Sequence, residues 1–537
     1  MNKQFTPALA SLQGLINEFD QPAVTKAVSL LQKISRMALP ADKHLVQYYE
    51  MLLFICAYPA SARIRLLAEA ELKRITLFLK KKKGAPGLVP YNEGLPYTYI
   101  LTRFSPDFLR TILANNDLRV EFDSFYDASL SLNDVLNITL PSMLKAETTA
   151  GLSNTDLLDL LQVKPDEYAS FLLGQFEQLQ DYPLLKDLFM ERLDMYVKLV
   201  PRNEKFSKAY NRIPVNSLYY HADLLKKFDH QELLHRALAP YIKPGAAETA
   251  ELVKVIRNSM SLTVREIDPA SFMEPASMRI WELERGLQIA LYSMIPQRQL
   301  PLETYFGFTF FKNGIPISYG GIWAFGKLAR LGLNIFEPYR GGESGYLLCQ
   351  LMRVCRQALG VSYFEIEPYQ FGLDNPGGIK SGAFWFYHKY GFRPVDKSLQ
   401  QLAAAEYKKI KTKKNYRSPE KTLLRFTESN IFLNLEKTPP LDVLKITSRL
   451  LSAIKKQWAN NYLAARQAAT DQFCRETALP ASGLTRDEKN ILEETALWAM
   501  AMKVTNKEAL QLMKDMVKTK TKDDYAYQQL VLAFFNT

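Results

Sequence analysis

Apolar residues recur at helical spacing through most of the first ~250 positions. Val24, Val28, Leu31 and Ile34 form one such stripe. A second runs from Asp42 to Ala57 and is ended by Tyr58-Pro59, because the residue before a proline is pushed out of the helical region. A third runs from Arg63 to Leu79 and finishes in Lys80, Lys81, Lys82 and Lys83. The Gly/Pro-rich run GAPGLVPYNEGLPY that follows predicts a loop. Further helices are predicted over Asp107–Ala114, over Thr155–Gln162 behind Ser153 or Asn154 as cap, and over Glu167–Val200 with a break at Pro183.

The texture changes after Ser261. The run Leu262 to Asp268 alternates as a strand does, and Met278–Met294 carries helical periodicity. Tyr305–Phe311, Ile315–Trp323 and Leu328–Phe336 read as three strands, with Asn313-Gly314 and Phe325-Gly326 where hairpin turns are needed. Then come a helix over Ser344–Leu359, a strand over Tyr363–Glu367, a helix over Ser381–Tyr390 and extended chain from Gly391. Past Asp396 lies a basic stretch with Lys408, Lys409, Lys411, Lys413, Lys414 and Arg417. Two strand-like runs follow, Thr422–Phe426 and Ile431–Leu435, and Pro439-Pro440 punctuates the chain. Beyond it Leu444, Leu451, Ile454 and Trp458 mark an amphipathic helix, and the rest stays helical.

The expected architecture is therefore α+β and multi-domain. A helical region (1–255) precedes a central mixed-sheet α/β domain (256–400), a basic connector with strand-like runs (401–437) and a C-terminal helical region (438–537). With 537 residues, 47% of them hydrophobic, the chain can bury large cores. No apolar run reaches the ~18–20 residues a bilayer span needs. The first twenty residues lack the layout of a secretory signal. Four scattered cysteines (Cys56, Cys349, Cys355, Cys474) do not make a disulfide framework. Together these point to a cytoplasmic protein without a membrane span. The net charge of +12 favours an anionic partner (a nucleic acid, an acidic protein, a membrane surface or a phosphorylated cofactor) and by itself picks none of them. No aromatic residues interleave with the lysines in a pattern made for base stacking. His230 and His235 are five apart, which does not align two ligands on a helix face, and no Cys/His spacing fits a metal site.

The segment with chemical content is Asn334-Ile-Phe-Glu-Pro-Tyr-Arg-Gly-Gly-Glu-Ser-Gly-Tyr-Leu-Leu348. A strand runs into a glycine-rich turn and the turn into a helix. That order gathers unpaired backbone N–H groups and the positive end of a helix dipole at one point, where a pyrophosphate fits. Gly341, Gly342 and Gly345 allow close approach, and Arg340 adds charge-assisted hydrogen bonds.

The segment resembles the pyrophosphate loop of the GNAT superfamily of acyl-CoA N-acyltransferases. Arg340 and Gly345 occupy the first and last places of that pattern. The fourth place, normally glycine, is Glu343, and one residue is missing between Pro338 and Tyr339-Arg340. A second element, Ala383 followed by Tyr387 and by Gly391-Phe392, matches the family's late pattern at a fitting distance. The resemblance covers about a quarter of the chain, from Leu262 to Asp396.

The resemblance implies direct acyl transfer from an acyl-CoA, acetyl-CoA first among them, to an amine. It places the cofactor at Asn334, Ile335, Phe336, Arg340, Gly341, Gly342, Glu343, Ser344 and Gly345. A backbone N–H within Asn334–Phe336 would polarise the thioester carbonyl. Tyr387 would protonate the leaving thiolate. Alternation along Tyr363–Glu367 puts Glu365 and Glu367 on one face, as candidate bases for the ammonium, with Glu337 a further one. A carboxylate of Glu343 turned toward the pyrophosphate would repel it by about 1.4 kcal/mol at ~6 Å and an effective dielectric of ~40. Two other functions stay open: a GNAT-fold scaffold without catalysis, and a transferase using another donor such as an aminoacyl-tRNA.

Overall fold

The computed structural model describes residues 4–82, 90–436, 440–480 and 482–537. Lys83, the first six residues of the expected Gly/Pro-rich loop and Pro439 lie outside the described residues. The first helices follow their stripes: Gln21–Ile34, Lys43–Ala57 and Ala62–Lys81. Each is opened by a side chain that accepts a backbone N–H of the first turn, from Asp20, Asp42 and Ser61 respectively. Ser153 caps Asn154–Leu160 in the same way.

The N-terminal region is not purely helical. Three strands, β1 (Ile100–Thr102), β2 (Leu118–Phe125) and β3 (Met195–Pro201), make an antiparallel sheet in the order β1-β3-β2. The helix expected as far as Val200 ends at Leu193, and Asp194 adopts the left-handed conformation at φ +47°. From Met195 on, burial alternates with period two, because Met195, Val197 and Leu199 point one way and Tyr196, Lys198 and Val200 the other.

The second sheet has eight strands: β4 (Arg279–Leu283), β5 (Leu287–Tyr292), β6 (Thr304–Lys312), β7 (Ile315–Phe325), β8 (Leu328–Ile335), β9 (Tyr363–Ile366), β10 (Arg393–Pro394) and β11 (Ile431–Asn434). The order is β10-β11-β9-β8-β7-β6-β5-β4, antiparallel except for the parallel pair β8–β9. The hairpin at Asn313-Gly314 forms as expected, with both residues at positive φ. Two expectations fail. The segment Met278–Met294 is the β4–β5 hairpin rather than a helix, turned by Arg285 and Gly286 at φ +66° and +68°. A Cβ at 286 would sit 2.7 Å from Asn313 Oδ1, so glycine is required there. The run Leu262–Asp268 is not a strand: the helix Ala246–Leu262 reaches Leu262, and Val264 breaks the chain at φ +54°.

The basic stretch is divided, with Lys408, Lys409 and Lys411 in the helix Lys397–Thr412 and Lys413, Lys414 and Arg417 in the loop after it, and Thr422–Phe426 lies in the helix Glu420–Phe426 rather than in a strand. The second strand-like run is β11, inserted between β9 and β10 and antiparallel to both. The central sheet thus takes a strand from beyond residue 400. One hydrophobic core extends from Phe5 through this sheet to Leu433. A second gathers around Phe473, Trp498, Met513 and Phe534 in the C-terminal helices. The helix Asp524–Phe534 joins the two. Its fully buried Gln528 donates to the Gly326 and Leu359 carbonyls and accepts from the Gly326 N–H. In the helix Val443–Trp458 the buried positions are Ile446 and Ile454, whereas Leu444 and Leu451 are exposed. Among the described residues no helix is long and apolar enough to cross a membrane.

The loop 413–419 is largely exposed and basic, so trypsin should cut there first. Because β11 lies on the far side of that cut and between two strands of the near side, the nicked pieces should co-elute under native conditions and part only in denaturant. Separation of the pieces in native gel filtration would contradict the placement of β11.

Candidate functional site

β8 pairs with β7 along its whole length, from Leu328 to Ile335. It pairs with β9 only through Leu328↔Tyr363, Ala329↔Phe364 and Arg330↔Glu365. Past Arg330 the two strands part. Hydrogen-bonding direction alternates along a strand, and two bonds fix the phase. The Phe336 N–H donates to the Ile317 carbonyl, on the β7 side, while the Lys327 carbonyl accepts from Ser362 and Tyr363 on the β9 side. The N–H groups of Leu333 and Ile335 therefore face the gap between β8 and β9. Arg340 reaches into the same gap, its Nε donating to the Ile335 carbonyl at 3.2 Å. Of the stretch Asn334–Phe336, only Ile335 presents its N–H there. The Asn334 N–H faces β7, and the Asn334 carbonyl accepts from the Ser318 hydroxyl at 2.8 Å.

The chain leaves β8 through a 3-10 turn, Glu337–Tyr339, and enters the helix Ser344–Leu359. Gly341, at φ +88°, is exposed with open space where a Cβ would project, and Ser344 and Gly345 are partly exposed. Gly342 packs against the ring of Tyr58, and at Gly345 a Cβ would overlap the Tyr390 hydroxyl. Close approach at Gly345 thus serves a tyrosine of the protein itself.

Glu343 turns into the protein, with only 2% of its surface exposed. Its carboxylate pairs with Lys312 at 2.7 Å and with Arg285 at 2.8 Å, and it accepts the Leu225 N–H at 2.9 Å. Arg285 also pairs with Asp223, and the Lys312 ammonium stands 5.0 Å from the centre of the Tyr58 ring. The charge that sequence alone set against a pyrophosphate is neutralised from the far side of the turn. Burial is the main force on Lys312. With Arg285 beside it, burial outweighs the Glu343 carboxylate and brings the ammonium down to about 8. His221 and Tyr58 complete this buried cluster. Among the described residues neither His221 ring nitrogen nor the Tyr58 hydroxyl makes a well-formed hydrogen bond, and burial, then Lys312 and Arg285, hold the imidazole neutral, at about 2.

Tyr387 sits in the helix Ala383–Lys389, 4% exposed, between the rings of Phe386 and Phe392. No group of the described residues bonds to its hydroxyl, and burial pushes the phenol well above its ordinary value. Tyr390, one helical turn on, is the residue whose hydroxyl lies against Gly345, so the face carrying Tyr387 borders the start of the Ser344–Leu359 helix.

The three candidate bases are placed differently. Glu365 pairs with Arg330 at 3.2 Å and accepts from the Asn430 amide at 2.9 Å. Arg330 pairs with Glu303 as well, so Glu365 belongs to a network that ties β8 to β9 at the closed end of the gap. Glu337 is exposed and pairs with Arg340. Glu367, just past the end of β9, is exposed and has no ion-pair partner among the described residues.

A further feature escaped the sequence reading. Gly307, Gly321 and Gly332 lie directly opposite one another on β6, β7 and β8, on the sheet face that carries Arg330 and Glu365. The rings of Tyr292 and Tyr305 lie in the groove these glycines leave, and the Gln370 amide lies over Gly332. Tyr305 stacks on Trp323 at 4.5 Å. Strand glycines signal close approach of another group, but their alignment requires the register.

Compared with protein-family models, with curated proteins and with solved structures, the chain has no match.

Proposed function

We propose that the chain is an acyl-CoA-dependent N-acyltransferase of the GNAT type, with acetyl-CoA the first donor to consider. The observation that carries this reading is the gap between β8 and β9, edged by the N–H groups of Leu333 and Ile335 and opening beside the glycine-rich turn. A pantetheine arm contains two amides and can continue the interrupted ladder there. Its diphosphate would lie against the N–H groups of Gly341, Ser344 and Gly345, with Arg340 adding charge. Glu343 does not oppose it, because Lys312 and Arg285 hold that carboxylate on the other side of the turn.

In this reading the amine, once deprotonated, attacks the thioester carbonyl. A C–N bond forms and the carbonyl oxygen takes negative charge beside the gap-facing amides. The C–S bond then breaks, the thiolate takes the proton of Tyr387, and the surplus proton on the new amide nitrogen restores the phenol through solvent. Glu367 replaces Glu365 as the group able to accept the ammonium proton, since Glu365 is engaged by Arg330 and Asn430.

A second reading, a scaffold of this fold without catalysis, is favoured by Tyr390 against Gly345 and Tyr58 against Gly342, which partly cover the turn. Titration calorimetry with acetyl-CoA and CoA separates the two. Binding with a micromolar Kd supports the enzyme. No heat with several acyl-CoAs retires it in favour of the scaffold or of the aminoacyl-tRNA donor.

A further inference from the structure

A cavity of about 930 Å³ lies outside the β8–β9 gap, between the Pro376–Ser381 and Ala383–Lys389 helices on one side and the end of Lys397–Thr412, the loop after it and the Glu420–Phe426 helix on the other. Ile379, Ile410, Leu423 and the Trp385 indole line its apolar part, and Tyr416, Arg417 and Lys380 stand at its walls. The indole is fixed in place. Its N–H donates to the Ser418 hydroxyl at 3.1 Å, and its ring stacks on Tyr407 at 6.0 Å.

One wall of the cavity is built from the basic stretch of the chain: Arg417 and Glu420 line it, with Asp374 and Lys380 opposite, and the other cations of the stretch lie on the same helices and loop outside the lining. Residues 397–425 contain nine Lys and Arg and two Glu, which is +7 of the chain's +12. Of the two acids, Glu406 is buried and already engaged by Lys409 and the Tyr416 hydroxyl. Lys408, Lys411, Lys413, Lys414, Lys421 and Arg425 are exposed and have no ion-pair partner among the described residues. Holding so many like charges together costs self-repulsion, which a polyanion relieves. The ridge is longer than one phosphate, so a free nucleotide leaves most of it unused. A flat indole in a roomy apolar recess suits a nucleobase better than an acidic side chain. A base enters such a recess only when unpaired.

We infer that this cavity and its basic wall bind single-stranded nucleic acid, with one base against Trp385 and the phosphates along Lys408–Arg425. This site stands apart from the acyl-CoA reading and neither needs it nor supports it. It joins two features that sequence kept separate, because Trp385 comes from a helix that precedes the lysines.

The test is fluorescence anisotropy of the full chain with a labelled 12-nucleotide oligoadenylate at 50 and 200 mM salt. With about five phosphates engaged, affinity should fall about 100-fold between the two salts. The triple variant Lys413→Glu, Lys414→Glu, Arg417→Glu, all exposed loop positions, should lose binding at least as strongly while its thermal unfolding stays unchanged. Trp385→Phe, which keeps a ring in the core, should weaken binding about tenfold and abolish the ligand-dependent quenching of tryptophan emission. The inference is overturned by no binding at 50 mM salt. It is also overturned by a 12-base-pair duplex binding equally well without quenching, by polyglutamate displacing the oligonucleotide at equal charge, or by CoA displacing it.

Discussion

Glu343→Gln should cost the fold about 3–5 kcal/mol, the usual consequence of removing one partner from a buried ion pair. The side chains of Glu343 and Lys312 are both fully buried, 2.7 Å apart. Glutamine keeps the size of the side chain and removes the charge, leaving the Lys312 ammonium without a counter-charge in a site that excludes water. Arg285 still has Asp223, so Lys312 is the residue left stranded. The double variant Lys312→Met, Glu343→Gln should recover most of the loss, since removing both members of a buried pair is often close to neutral. Urea denaturation of the three proteins gives the comparison, and a Glu343→Gln midpoint equal to wild type would mean the pair contributes nothing. The inward carboxylate also decides what Glu343→Gly should do. A carboxylate facing the turn's open side would have repelled a phosphate, and its removal would have tightened cofactor binding. With the carboxylate turned inward, the glycine variant should gain no affinity and should be unstable.

Glu343 also shows where sequence reading stops. Its oddity in the glycine-rich turn was visible, but its partners lie 31 and 58 residues away, at the end of β6 and in the β4–β5 turn. Lys312 closes an otherwise apolar strand, Thr-Phe-Phe-Lys, and that lone charge was the available clue. Local chemistry was legible wherever it sufficed. Asn313-Gly314 announced its hairpin because both residues tolerate positive φ, and Ser344–Leu359 announced its helix through an unbroken apolar stripe. The β4–β5 hairpin was missed because its turn places Arg285 at positive φ, where arginine is seldom found, while buried positions on both strands imitate a helical period. The insertion of β11 and the alignment of Gly307, Gly321 and Gly332 are consequences of pairing across the sheet. No local pattern carries them.

Tyr387→Phe should lower kcat for acyl transfer by about 100-fold or more, while the Kd for acyl-CoA stays within about twofold of wild type. The structure makes the substitution clean. The Tyr387 hydroxyl has no partner among the described residues, so the phenylalanine breaks no bond within the fold and should leave stability within about 0.5 kcal/mol of wild type. A structural role would show the opposite pattern, with stability lost and kcat kept. Burial raises the phenol's pKa, and this cuts both ways. The phenol is fully protonated throughout the neutral range and always ready to donate, but it is a weaker acid than usual. A thiolate leaving into the same water-poor surroundings is destabilised by the same desolvation, so its own affinity for the proton rises in step. In the proposed reaction, transfer from Tyr387 would be favourable only while a bound acyl-CoA filled the gap and kept water out. Steady-state rates with an acyl-CoA and an amine acceptor, read beside calorimetric Kd values, decide it. Unchanged kcat in the variant, under conditions where chemistry limits the rate, would remove Tyr387 from the mechanism and leave solvent as the proton source.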